Sequence, residues 1–188
     1  MLFDKIGLAL LGLALISNII GVAIPYWFYF SLTVQGETGS ANFGLWKSCG
    51  SETTGKGGTF VTKCMNFDNT DGFTVPTAFY AARALEILAI LATTAAIIVV
   101  CMKIFFKKEN NRLLYIAAPI SIFASLFVII GAIVFVVDNE VKKMVESANP
   151  LVHFKPHASF GLSIVAGILN IVASPMLILA ARAIPGLT

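Results

Sequence analysis

Apolar residues run almost without interruption through four stretches of this 188-residue chain, about Ile6–Tyr26, Ala78–Met102, Leu113–Val137 and Ala158–Ala181. A helix needs about 20 such residues to cross a ~30 Å hydrocarbon core, so each stretch is predicted to span a membrane. The first is longer than the apolar part of a signal peptide, and no small-x-small cleavage site precedes Pro25. It is read as a retained span. Residues 1–188 are thus expected to form a single four-span membrane domain with polar loops at 27–77 and 138–157, without a soluble domain, linker or internal repeat.

Within 27–77 the period changes. Phe28, Phe30, Leu32 and Val34 alternate with Tyr29, Ser31 and Thr33. Phe43, Leu45, Lys47 and Cys49 share one face of a second predicted strand, and Phe60, Thr62 and Cys64 one face of a third. Period-two patterns bounded by Gly-rich turns read as an antiparallel sheet. Gly50–Gly58 lies between the last two strands and reads as a flexible polar connection. A Cys49–Cys64 bridge would close that hairpin, worth roughly 3 kcal/mol in the chain-entropy model. Small sheets are marginal without such help.

Composition supports lipid as the solvent. The chain is 57% hydrophobic and 12% charged, with a mean hydropathy of +0.87, against about 25% charged in ordinary soluble domains. The net charge of +3 is small and scattered, which excludes nucleic acid as a partner. Three cysteines without a C-x-x-C make neither a disulfide scaffold nor a metal site. His153 and His157 are four apart, but Pro156 intervenes and no third ligand is near. No metal or other cofactor is expected. No nucleophile-base constellation is present, so no enzymatic activity is expected either.

Charge and cysteines together suggest a topology. The short segment with Lys103, Lys107, Lys108 and Arg112 is densely basic, as cytoplasmic loops are. Lysine counting alone does not decide, because Lys47, Lys56, Lys63, Lys142, Lys143 and Lys155 lie on the other side. A disulfide persists only in an oxidising compartment. Both arguments place the two termini in the cytoplasm and the cysteine-bearing loop outside.

Small residues recur at helical spacing: Gly7, Gly12 and Gly21 on the first span, Ala117, Ser121 and Ser125 on the third, Ser163 and Gly167 on the fourth. Such stripes let membrane helices approach closely and predict a left-handed bundle packed within one chain. Asn18 and Asn170 are expected to hydrogen-bond across helices, and Pro119 and Pro175 to be tolerated kinks. Arg83 and Glu86 are three apart and can interact on one turn, while Arg83 could also reach carbonyls or Trp46 under the sheet. Trp27 and Trp46 suit the headgroup layer as anchors, with the ring against lipid or helix tops. Cys101, beside Met102-Lys103, is a candidate palmitoylation site. The outer loops contain no Asn-x-Ser/Thr sequon.

Trp27, Gly44-Leu45-Trp46, Cys49 and Cys64, in that order, resemble the signature of the claudin family. Ala81-Ala82-Arg83-Ala84-Leu85 is similar to the opening of the second span in many claudins. Asn149-Pro150-Leu151-Val152 with Phe154, followed by Phe160-Gly161, resembles the second outer loop entering the fourth span. The likeness covers essentially the whole chain. It implies a left-handed four-helix membrane bundle carrying an extracellular antiparallel sheet stapled by Cys49–Cys64, with Arg83 structural.

It also implies a tight-junction protein of the plasma membrane, at cell-cell contacts. Claudins self-associate side by side and across the intercellular gap, and meet other claudin-like proteins. They seal the gap or line ion-selective pores, where first-loop charges set selectivity; here those would be Glu52, Lys56, Lys63 and Asp68. Three departures stand out. Fourteen residues separate the cysteines, a longer tip than is usual, and its slightly positive charge leans away from a cation pore. Ala158-Ser159 stand where many claudins carry an aromatic-acidic pair used in head-to-head contact. The sequence stops at Ile184-Pro185-Gly186-Leu187-Thr188, without the terminal scaffold-binding motif. The competing expectation is a membrane organiser or auxiliary subunit that binds another membrane protein laterally.

Overall fold

The computed structural model describes residues 2–34, 37–54, 59–67, 75–106, 110–138 and 155–183. Four long helices, α1 (Leu2–Ala23), α2 (Thr77–Phe105), α3 (Arg112–Val137) and α4 (Ala158–Arg182), match the four apolar stretches. All four are long and apolar enough to cross a membrane. The helix answers the solvent, because in hydrocarbon each backbone N–H and C=O must find its partner within the segment. Pro119 and Pro175 stay inside α3 and α4.

The helices pack as a ring in which α1 touches α2 and α4, and α3 touches the same two. Small residues set the approach. A Cβ on Gly21 would lie 2.8 Å from Ser163 Oγ and 3.0 Å from the Ser159 carbonyl. Only glycine lets α1 and α4 meet so closely there. Ala117, Ser121, Ser125, Ser163 and Gly167 face the interior as expected. Gly12 does not pack as the small-residue stripe suggested, since a Cβ there would meet nothing within 4 Å. Residues such as Ile16, Leu91, Phe123 and Ile168 point outward on the four helices.

The interior is layered. One apolar cluster, including Trp27, Phe28, Leu45, Phe79 and Phe135, fills the end beneath the sheet. A second, including Leu11, Val100, Leu114 and Leu177, fills the opposite end. Between them lie the buried polar residues Asn18, Glu86, Thr93, Ser125, Ser163 and Asn170. Thr93 Oγ1 donates to Asn170 Oδ1 at 3.4 Å, a bond between α2 and α4, so Asn170 crosses helices as anticipated.

The sheet has five antiparallel strands in the order β4-β3-β2-β1-β5. They are β1 (Phe28–Val34), β2 (Glu37–Phe43), β3 (Lys47–Thr54), β4 (Thr59–Asn66) and the short β5 (Lys155–Pro156). Two expectations are corrected. The supposed single strand through Phe43–Cys49 is broken: Phe43 ends β2, Lys47 begins β3, and Gly44–Trp46 turn between them. Gly50 is not the start of a flexible connection, because Gly50–Thr54 pair with Thr59–Lys63 and only residues 55–58 are left between the strands. In addition, Phe28↔Pro156 and Tyr29↔Lys155 pairing adds β5, from the segment before α4, to the edge of β1. β2 escaped the sequence reading because Glu-Thr-Gly-Ser-Ala-Asn-Phe has few β-branched residues; its neighbours' ladders make it a strand.

Candidate functional site

The signature residues meet where the sheet rests on the helix ends. Trp27 follows α1 and is wholly buried. Its ring lies edge-on to Phe135, 4.9 Å between centroids, and to Phe160 at 6.0 Å. Its indole Nε1–H donates to the Gly21 carbonyl at 2.8 Å. That carbonyl is in the last turn of α1, where intrahelical donors run out. Trp27 is therefore not a headgroup anchor but a bolt through the top of the bundle. Its backbone is held on both sides, by Trp27 N–H to Phe43 O at 2.8 Å and His157 N–H to Trp27 O at 2.9 Å.

The Gly-Leu-Trp turn dips into the same seat. A Cβ on Gly44 would lie 2.5 Å from Pro25 Cα, so glycine alone permits this approach. Leu45 is then wholly buried, while Trp46 stays 40% exposed. Arg83 rises from α2 to meet the turn. Its Nε donates to the Leu45 carbonyl at 2.7 Å, and its guanidinium lies 4.7 Å from the centre of the Trp46 ring. Tyr80 and Phe67 approach the same guanidinium at 5.1 and 5.9 Å. The suggested Arg83–Glu86 interaction is not made: the Glu86 oxygens accept no hydrogen bond among the described residues. A delocalised guanidinium can bond a carbonyl in its plane and stack on rings above and below, which the seat supplies and Glu86 does not.

Phe67, Phe79 and Phe135 complete the seat, with Phe67–Phe79 at 5.5 Å and Phe79–Phe135 at 5.0 Å, both edge-on. Sequence reasoning missed these three. Phe79 and Phe135 carried no signal beyond aromatic character near the ends of predicted spans, and Phe67 none beyond following the third predicted strand. On the sheet, Cys49 faces Cys64 directly in the β3–β4 register and the two are disulfide-bonded. The bridge ties the outermost strand β4 to the body of the sheet.

The remaining predicted residues are spread out. Lys63 is exposed on β4, opposite Gly50. Glu52 pairs with Gly39 and Val61 within β3. Lys56, Asp68, and the second-loop residues Asn149, Pro150, Leu151, Val152 and Phe154 lie outside the described residues. Cys101 is a half-buried free thiol near the far end of α2. Close by, Lys103 Nζ donates to Asp4 Oδ2 at 2.7 Å, a buried ion pair joining the start of α1 to the end of α2. Reading Lys103 as one of a run of loop charges hid this pair; Asp4, the one acidic residue of α1, lies just before the first predicted span. Among the described residues no group of three or more His, Cys, Asp or Glu could hold a metal ion. The ring of His157 instead neighbours Tyr26 and Tyr29, at 5.4 and 5.9 Å.

The whole arrangement fixes a sheet rigidly on a bundle. The family model of the PMP-22/EMP/MP20/Claudin family matches residues 2–180, nearly the full chain. Comparison with individual curated proteins gives no match. With four apolar helices of spanning length, a bridged antiparallel sheet and this match, the chain belongs to the PMP-22/EMP/MP20/Claudin family and is a multi-pass membrane protein with a claudin-like four-helix bundle.

Proposed function

We propose that this protein is a claudin-like component of tight junctions, assembling into strands that seal the space between adjacent cells or select the ions that cross it. The observation that carries this reading is the seated sheet: a disulfide-tied β-layer fixed to the bundle by Trp27, Leu45 and Arg83. A protein that must hold a surface at constant height above a membrane needs such a joint, because a swinging loop would present no defined face to a neighbour. The cysteine bridge supports an extracellular sheet, with both termini cytoplasmic. On that orientation Cys101 lies near the cytoplasmic face, where acylation is accessible.

The protein's associations then follow from its surroundings: lipid around the helices, copies of itself and related claudin-like proteins in the same membrane, and the opposing cell through Asn149–Val152 and Phe154. Glu52, Lys56, Lys63 and Asp68 are the proposed selectivity charges. Expression in epithelial cells that lack junction strands tests the reading. Freeze-fracture strands with a changed transepithelial resistance are expected, and charge reversal at Lys56 or Lys63 should move the dilution potential if the strands conduct. Isolated particles at unchanged resistance would overturn it.

One observation favours the second reading, a lateral organiser or auxiliary subunit. Ser159 stands where an aromatic-acidic pair would serve head-to-head contact. It is buried, with its hydroxyl turned to the Ile24 carbonyl at 3.2 Å and its N–H to Tyr26 O at 2.8 Å. Co-purification of one defined membrane partner, without enrichment at cell contacts, would favour that role.

A further inference from the structure

Five oxygens in the polar layer have no hydrogen-bond partner among the described residues: the hydroxyls of Ser125 and Ser163, and a group of three made up of both carboxylate oxygens of Glu86 and Oδ1 of Asn18. Glu86 is wholly buried and Asn18 is 2% exposed. The Asn18 amide faces the Glu86 carboxylate from α1. From α3, a Cβ on Gly131 would be only 3.3 Å from Leu85 Cβ and 3.7 Å from Glu86 Oε1. Among the described residues no group of three or more His, Cys, Asp or Glu that could hold a metal ion surrounds Glu86.

Charged side chains on the surrounding elements are engaged elsewhere or distant along their helices. On α2, Arg83 is turned to the Leu45 carbonyl and the Trp46 ring, and Lys103 pairs with Asp4 at the opposite end. On α1, Asp4 and Lys5 lie four turns away. The charged residues of α3 and α4 are Arg112 and Arg182 at the far ends, and Asp138 caps α3 two turns above Gly131. A buried carboxylate without a counter-charge costs several kcal/mol. A proton removes that cost and occupies no space.

We propose that Glu86 is a proton-binding site, and that its neutral acid and the Asn18 amide close a two-bond ring joining α2 to α1. The acid O–H donates to Asn18 Oδ1, and Asn18 Nδ2–H donates to the acid carbonyl. One proton thereby satisfies the three oxygens of Glu86 and Asn18. The place of this ring gives it a consequence. Asn18 is one turn below Gly21, whose carbonyl holds the Trp27 indole, and Glu86 is one turn below Arg83, which holds Leu45. The ring thus clamps the two helices beneath both anchors of the sheet, and losing the proton places an uncompensated charge there. Sheet and bundle are coupled by a proton.

The full-length protein in lipid nanodiscs provides the test, as wild type and Glu86→Gln. Glutamine mimics the neutral acid at every pH. Infrared difference spectra of the two should contain a carboxylic-acid carbonyl band from Glu86 that shifts on exchange into D2O. Amide protection of residues 27–49, corrected for intrinsic exchange, should fall by about tenfold or more in wild type between neutral and alkaline pH, and stay flat in Glu86→Gln. An ionised-carboxylate band in wild type at neutral pH overturns the proposal, as does the same alkaline loss in both proteins. So does wild-type protection that tracks sodium concentration instead of pH. The infrared band of isotope-labelled wild type needs no variant, so it decides even if the substitution is disruptive.

Discussion

Replacing Arg83 by methionine is expected to loosen the sheet from the bundle while leaving the helices packed. Methionine keeps a long stem but removes the charge-assisted bond to the Leu45 carbonyl, worth about 1.5–3 kcal/mol, and strands that carbonyl over a wholly buried side chain. It also removes the stacking on Trp46 and Tyr80, which adds roughly 0.5–1 kcal/mol because both rings are partly exposed. The two overlap at one guanidinium, so about 2–4 kcal/mol is expected. At about 1.4 kcal/mol per factor of ten, local opening of the sheet should rise between ~30- and ~1,000-fold. Hydrogen exchange in nanodiscs reads this directly: amides of 28–66 lose protection while those in the middle of α2 and α3 do not. Arg83→Lys should recover part of the loss, since an ammonium can reach the carbonyl but cannot stack as a plane. Unchanged sheet protection, or equal loss in sheet and helices, would refute the assignment of Arg83 to the seat.

Cys49→Ser should cost roughly 3 kcal/mol of sheet stability and lower surface delivery; surface biotinylation and limited proteolysis check it, and normal levels with an unchanged cleavage pattern would contradict it. Lys103→Met should destabilise by about 1.5–3 kcal/mol by removing the charged hydrogen bond that Lys103 donates to Asp4. Adding Asp4→Asn should restore much of that, as thermal unfolding in micelles would show. Gly44→Ala forces a Cβ against the Pro25 backbone, for an expected loss of about 1–3 kcal/mol. Gly12→Ala, where a Cβ meets nothing, should be neutral or stabilise by up to about 1 kcal/mol; comparing melting temperatures of the two tests whether close approach is what matters.

Much of the architecture follows from local chemistry that a reader of the chain can see. Four uninterrupted apolar stretches admit only helices in lipid, and the observed bounds fall within a few residues of those stretches. The alternation in Phe28–Val34 and Thr59–Asn66 is likewise local, and both are strands. The order of Trp27, Gly44-Leu45-Trp46, Cys49 and Cys64 pointed to the right family before any contact was known.

Contacts between distant segments were another matter. A tryptophan next to a proline at the end of a span looks the same whether it meets headgroups or a helix terminus; only the arrival of Phe135 and Phe160 from two other helices buries Trp27. β2 has little strand character of its own and exists because β1 and β3 offer ladders on both sides. Arg83 had two partners within plausible reach, Glu86 along its own helix and the Leu45 carbonyl 38 residues back in the chain. Spacing along one helix favours the former equally well, and the choice fell to the turn that Gly44 lets into the seat. Hydropathy is a property of each segment, so the sequence determined which parts enter the membrane and which remain polar. Ion pairs, caps and buried acids depend on what comes alongside, and the Asp4–Lys103 pair and the position of Glu86 against Asn18 were decided only when the helices closed into a ring.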